Sequence, residues 1–413
     1  MLVFLCGAVL QQASMYEKIV PNPTGINGYE EYLRAADIAA IPEFNNYEGW
    51  LSNLHPGNVT WEVDKPSDVD PKDPDLTVKR KWVDRFRRCC DLISNGNRKA
   101  VMDPRGEIRP ETTFPEMARF RSLARLEAVS AHVCFADGRT GEGVRHIEDA
   151  QIFGNKISGA TLIGRLVGIA CGRISFVELD DHWAQLSVSD AEELERFFGQ
   201  LLNGPLPLIE SMRGERQGAH AAIEELFAKL TDVASLWNSD GKEKALINEV
   251  ARLGPAEARD AQAATIAAID AYYDSVLATV NGPESGWFSL KEASNEDDIG
   301  NSKLPLATRL TDLVTPALSQ VLISDAQDRT RMRIAYLTAK AVDFRWIMGR
   351  LPDRIEDFAS QVERNDPTSG RAFRYKRDGP WFRITREGRD ALGSVSLFKP
   401  PAPADPNLGP LRP

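Results

Sequence analysis

Five histidines, His55, His132, His146, His182 and His220, are the side chains of this chain best suited to acid–base or metal chemistry. Two of them, His132 and His146, stand on either side of an Asp137-Gly138 pair that reads as a helix stop. If helices before and after that stop fold back on each other, His132 and His146 could meet across the pair with Glu148 and Asp149 beside them. That would make a metal or acid–base cluster. No H-x-x-x-H or H-E-x-x-H spacing accompanies them, so surface or satisfied core histidines are the ordinary expectation. Asp180-Asp181-His182-Trp183 is the densest polar cluster, and it reads as an exposed helix end. The chain has no G-x-S-x-G, P-loop or dinucleotide glycine pattern. No catalytic residue, cofactor site or metal site is expected, and His132, His146 and Glu148 remain the weaker polar candidate.

The five cysteines, Cys6, Cys89, Cys90, Cys134 and Cys171, form no C-x-x-C pair and are odd in number. Neither a zinc motif nor a disulfide framework follows from them. Cys134 and Cys171 lie in apolar helical stretches, where a cysteine behaves as a small buried hydrophobe.

Near the C-terminus, two alternating runs flank Asp378-Gly379, a strong hairpin signal because a tight primed turn needs positive φ. Phe373 and Tyr375 share one face, as do Phe382 and Ile384 across the turn. Pro380 shifts the turn or marks an edge strand, since it cannot donate to a ladder. From Arg371 to Gly388 six basic residues stand against Asp378 and Glu387. Arg374, Lys376 and Arg383 on the outward face are therefore the candidate contacts for an acidic partner surface. The competing expectation is that this face docks on the protein's own helices.

The elements that must hold these residues come from 413 residues, enough for two or three domains or one extended helical array. Apolar content of 42% can fill a core, and a net charge of -10 argues against a nucleic-acid binder. Residues 1–14 open with the apolar run MLVFLCGAVL, the length of a signal-peptide core but without a preceding Lys or Arg. They read as the remnant of a signal or anchor whose upstream part is missing, or else as an apolar turn docking on the body. Residues 15–76 are rich in turn formers and read as an irregular wrapping segment with one short helix at Tyr29–Ile38.

From 77 to 281 the period is helical, with stops at Asp137-Gly138, Gly204-Pro205 and Gly254-Pro255. Residues 282–305 read as a loop, 306–350 as a long helix, 351–398 as a C-terminal α+β hairpin unit, and 399–413 as a disordered proline-rich tail. The fold class expected is mostly α. Antiparallel helical hairpins would stack as a tetratricopeptide-like array or bundle, ending in that small α+β unit.

The stretch FRSLARLEAVSAHVCFADGRTGEGVRHIEDAQIFGNKISGATLIGRLVGIA resembles the helical core of a group of exported or membrane-anchored bacterial proteins of unassigned activity. In that group a tetratricopeptide-like hairpin leads into a long apolar helix. The stretches MRIAYLTAKAVDFRWIMGRLPDRIEDF and DPTSGRAFRYKRDGPWFRI resemble the ending common in the group, and are similar to the C-terminal part of type II secretion pseudopilins. No prepilin cleavage motif or second 34-residue repeat accompanies them, so "tetratricopeptide-like" describes shape and a pilus subunit is not expected. The resemblance brings no catalytic residues.

It implies an extracytoplasmic, periplasmic or membrane-anchored protein, against a cytoplasmic alternative, with anchoring through a missing N-terminal segment. The expected function is a non-enzymatic helical scaffold that binds protein partners and no nucleic acid. The alternative is a hydrolase or other enzyme with its site between the helical body and the C-terminal unit.

Overall fold

The structure is a computed structural model that describes residues 14–54, 76–106, 112–159, 161–228, 241–289, 301, 303–315, 318–366, 368–379, 381–386 and 396–397. The expectations for residues 1–13, for the wrapping segment at 55–75, and for the tail at 399–413 lie outside the described residues. The protein is mostly helical with a small antiparallel sheet.

Helices α5 (Glu116–Ala136), α6 (Thr140–Ile157) and α7 (Leu162–His182) form its centre. Pro115 opens α5, and Gly138, at φ 74°, closes it; Arg139 N then donates to Cys134 O at 2.8 Å. Such a left-handed glycine satisfies carbonyls that the helix end leaves open and turns the chain back. Thr161 caps α7 by accepting from Gly164 N at 2.9 Å. The turns are short, so neighbours run antiparallel, and α5, α6 and α7 each touch the other two.

The α6–α7 contact is unusually close. Gly164, Gly168 and Gly172 recur every fourth residue on α7 and so share one face. A Cβ on Gly154 of α6 would sit 2.5 Å from Gly168 O, and a Cβ on Gly168 would meet Gly154 O and Ser158 Oγ. Gln151 seals the seam by donating through Nε2 to Gly172 O at 2.7 Å and to Ser175 Oγ at 2.9 Å.

Around this centre the sequence reading needs two corrections. Residues 15–76 do not merely wrap over the body: they contain α1 (Met15–Ile19), α2 (Gly28–Ala39) and α3 (Pro42–Leu54). Tyr32, Leu33, Ala35 and Ala36 of α2 are fully buried, in one core with Trp82 and Phe86 of α4 (Leu76–Asn97) and Phe120 and Phe153. The turn formers sit just outside α2, where Glu30 gathers Thr24 N at 2.9 Å and Gly25 N at 3.0 Å. Burial of the aromatic face then outweighs the weak local propensity.

The second correction is partial: the long helix expected in 306–350 is present, ending at Met348, but it does not fill the segment. It divides into α12 (Leu306–Val314) and α13 (Ser319–Met348). Thr315, at φ -96° and ψ 127°, is extended, as the residue before a proline prefers to be. Between the centre and α12 come α8 (Val188–Asn203), α9 (Pro207–Ala228), α10 (Lys242–Val250) and α11 (Pro255–Val280). Trp287, from the segment read as a loop, is buried in the core of α9, α11 and α13.

The C-terminal unit packs β1 (Arg374–Asp378) antiparallel to β2 (Trp381–Thr385), and β2 to the two-residue β3 (Ser396–Leu397). Asp378 pairs with Trp381 and so belongs to the ladder, Gly379 after it has φ 59°, and Pro380 lies outside the described residues. Phe373, Phe382 and Ile384 are buried in the core that also holds Phe176, Phe198 and Ile334 to Val342 of α13.

Gly168→Ala is expected to destabilise by about 3 kcal/mol or more, because the methyl meets backbone that cannot yield. In contrast, Gly218→Ala on α9, with nothing within 4 Å of the added atom, should be neutral or stabilising by up to about 1 kcal/mol. Urea melts of both check this, and equal effects would show that the seam is slack.

Candidate functional site

Helix α5 carries Glu127, Ser130 and Cys134 at spacings of three and four, hence on one face, and that face looks at α6 and α4. His146, on the second turn of α6, binds Glu127 Oε2 through Nδ1 at 2.6 Å. Cys90 reaches in from α4, its Sγ 3.6 Å from Ser130 Oγ. One ligand atom from each of Cys90, Glu127 and His146 can be chosen so that all lie within 4.8 Å of one another.

Glu127 is wholly buried, and its Oε1 has no hydrogen-bond partner among the described residues. Burial pushes the Glu127 carboxyl up even though the His146 charge pulls it down. For His146, burial disfavours the cation, but the Glu127 charge and hydrogen bonds to Cys134 and Glu127 prevail and raise it to about 10. Burial also pushes the Cys90 thiol well up, so it stays protonated.

His132 belongs to a separate group. Its Nε2 lies 3.1 Å from Lys79 Nζ and its Nδ1 2.8 Å from Glu178 Oε2. An ammonium can only donate, so Lys79 fixes a tautomer in which Nδ1–H donates to Glu178. Burial raises the Glu178 carboxyl, but the His132 hydrogen bond, with the Lys79 charge nearby, outweighs that and holds it below the usual range. His182 stacks on Phe135 with ring centroids 4.6 Å apart. With both ring nitrogens engaged, His132 is an interior brace.

The sequence reading set His132, His146 and Glu148 together, but the two histidines answer to different carboxylates. Glu148 faces Glu193 of α8 and is raised to about 8, first by burial and then by that neighbouring charge. Glu127, not singled out from the sequence, is the partner of His146.

A third polar group joins the body to the C-terminal unit. Arg165 of α7, 2% exposed, is paired with Asp325 of α13, 0% exposed, and donates to Ser158 Oγ at 3.2 Å. Farther along α13, Thr330 Oγ1 donates to Asp366 Oδ1 at 3.3 Å. Asp366 also accepts from Thr368 N, Thr368 Oγ1, Ser369 Oγ and Arg386 Nε. Nearby, Glu363 accepts from Tyr336 Oη at 2.5 Å and Lys340 Nζ at 2.8 Å. Burial opposes ionisation of Glu363, yet the bonds from Lys340, Tyr336 and Ser360 bring it down to about 2.

On the hairpin, Arg374 and Lys376 are exposed and Arg383 is half-buried. Lys376 stands directly opposite Arg383 in the ladder, with Arg374 two residues along on the same face. Arg377, by contrast, donates to Asp353 Oδ1 at 2.7 Å. No protein-family model, curated protein or solved structure matches the chain.

Two outcomes follow from these buried charges. Arg165→Met is expected to cost about 3–5 kcal/mol because the buried Asp325, and Asp328 at 3.7 Å, lose their cation, while Arg165→Met with Asp325→Leu should recover part of that loss. A double variant no better than the single in denaturant melts would refute the pairing. For Glu363, the folded value lies below the unfolded one, so its ionisation stabilises above about pH 4.5 and that contribution is lost as pH falls through about 2. Glu363→Gln should therefore melt lower than the parent at pH 7, and the gap should close toward pH 2. A gap independent of pH would contradict it.

Proposed function

We propose that this protein is a non-catalytic helical scaffold whose stacked, tetratricopeptide-like hairpins hold the outward face of the C-terminal sheet toward an acidic protein partner. The observation that carries the reading is the Lys376–Arg383 cross-strand pair on a chain of net charge -10. Like charges directly opposite each other in a ladder destabilise it by a few tenths of a kcal/mol to about 1 kcal/mol. The neighbouring cations are neutralised within the unit: Arg377 by Asp353 and Arg386 by Asp366. A local electrostatic cost confined to the outward face is what a docking surface shows, since its complement lies on the other molecule.

The enzyme alternative has less support. Among the described residues, the junction of body and C-terminal unit is filled by Phe373, Phe382 and Ile384 and by the closed Asp366–Arg386 pair. Residence in the cell envelope rests on the resemblance of residues 332–358 and 366–384. Among the described residues no helix is long and apolar enough to cross a membrane.

If the face is a docking surface, Lys376→Gln should raise Tm slightly at low ionic strength and less so at high salt. The same change should weaken partner binding. Capture from envelope fractions by the full chain should yield a partner that is lost with Lys376→Glu/Arg383→Glu and in high salt. A partner held equally by the parent and the reversed variant would overturn the reading.

A further inference from the structure

Cys90, Glu127 and His146 come from three different helices, yet their side chains converge in the interior. We propose that they form a Zn²⁺ site, with Cys90 Sγ, a Glu127 carboxylate oxygen and a His146 ring nitrogen as ligands and water in the fourth position. This inference is independent of the docking face on the hairpin.

Thiolate, imidazole and carboxylate are the three side-chain donors that zinc takes, and three protein ligands with one open position is a common arrangement. With Zn–S near 2.3 Å and Zn–N or Zn–O near 2.0–2.1 Å, tetrahedral ligands stand roughly 3–4 Å apart. Atoms already within 4.8 Å of one another reach that spacing by small side-chain rotations.

The carboxylate provides the second, independent observation. Glu127 is wholly buried, its Oε1 has no hydrogen-bond partner among the described residues, and the Cys90 thiol already approaches its carboxylate. An orphaned polar atom of this kind costs about 1–3 kcal/mol, which a bound cation would recover. The charge also balances, because one thiolate, one carboxylate and a neutral imidazole cancel a divalent ion, so the interior gains no net charge. Behind the ligands, Ser130 Oγ stands 3.6 Å from Cys90 Sγ, and Cys134 hydrogen-bonds to His146. Such outer contacts orient metal ligands.

Binding must displace two protons: the Cys90 thiol proton, and the one that His146 shares with Glu127. Both pass to solvent as the Zn–S and Zn–N bonds form. The ion would pin α4 to the α5–α6 hairpin.

The test uses the full chain, reduced and stripped with a chelator, then titrated with Co²⁺ and with Zn²⁺. One equivalent is expected to bind. Co²⁺ should give a thiolate-to-metal charge-transfer band that disappears in Cys90→Ala and survives in Cys171→Ala, a buried cysteine elsewhere in the core. Zn²⁺ should bind His146→Gln about 100-fold more weakly than the parent.

Circular dichroism checks that each variant is folded, and the near-isosteric Glu127→Gln serves where another variant is not. Absence of saturable binding to the parent overturns the proposal. So does a band that persists in Cys90→Ala, or parental Zn²⁺ affinity in both His146→Gln and Glu127→Gln.

Discussion

The approach of α6 to α7 at Gly154 and Gly168 is the constraint on which the rest of the molecule hangs. With no side chain between them, the two backbones touch, and α5 can rest against both at once. The pair then behaves as a single rigid slab with different polar residues on its two sides. His146 leaves α6 toward α5 and α4, while Arg165, less than one turn before Gly168, leaves α7 toward α13. A wider spacing would shift both side chains relative to partners that they meet at hydrogen-bond distance.

Through Arg165 that constraint reaches the C-terminal unit. α7 is tied to α13 by a buried ion pair, and α13 is tied to the hairpin by Thr330, Asp366 and Arg386. Buried ion pairs add little net stability compared with well-packed apolar residues, but they are directional. Apolar packing of Phe373, Phe382 and Ile384 holds the sheet against the body, and the Asp366–Arg386 bond fixes its orientation. The consequence is that Arg374, Lys376 and Arg383 stay on the outward face.

Much of this was legible in the sequence because it is local. Pro115, Asp137-Gly138, Gly204-Pro205 and Gly254-Pro255 mark helix limits by backbone chemistry that does not depend on context, and the alternation at Phe373 to Ile384 marks the hairpin. α2 was underestimated because nearby turn residues dominate a propensity reading, whereas its burial depends on Phe120 and Phe153, far along the chain. The His146 partner was missed because the phase of two facing helices was left unfixed. Yet the turn at Asp137 contains the signal: positions at similar distances on either side of it face each other, which brings Glu127 near His146 and leaves Glu148 to look elsewhere.

The same logic separates structural charges from functional ones. Several interior ions among the described residues are matched: Arg165 with Asp325, Asp366 with Arg386, and Glu178 with His132 and Lys79. Two places stand apart by geometry, the buried Glu127 oxygen beside His146 and Cys90 and the Lys376–Arg383 pair set face to face. For Glu127 the proposed complement is a cation small enough for a closed interior. For Lys376 and Arg383 the proposed complement is an anionic surface, because two cations opposed across a ladder are relieved by negative charge brought to that face.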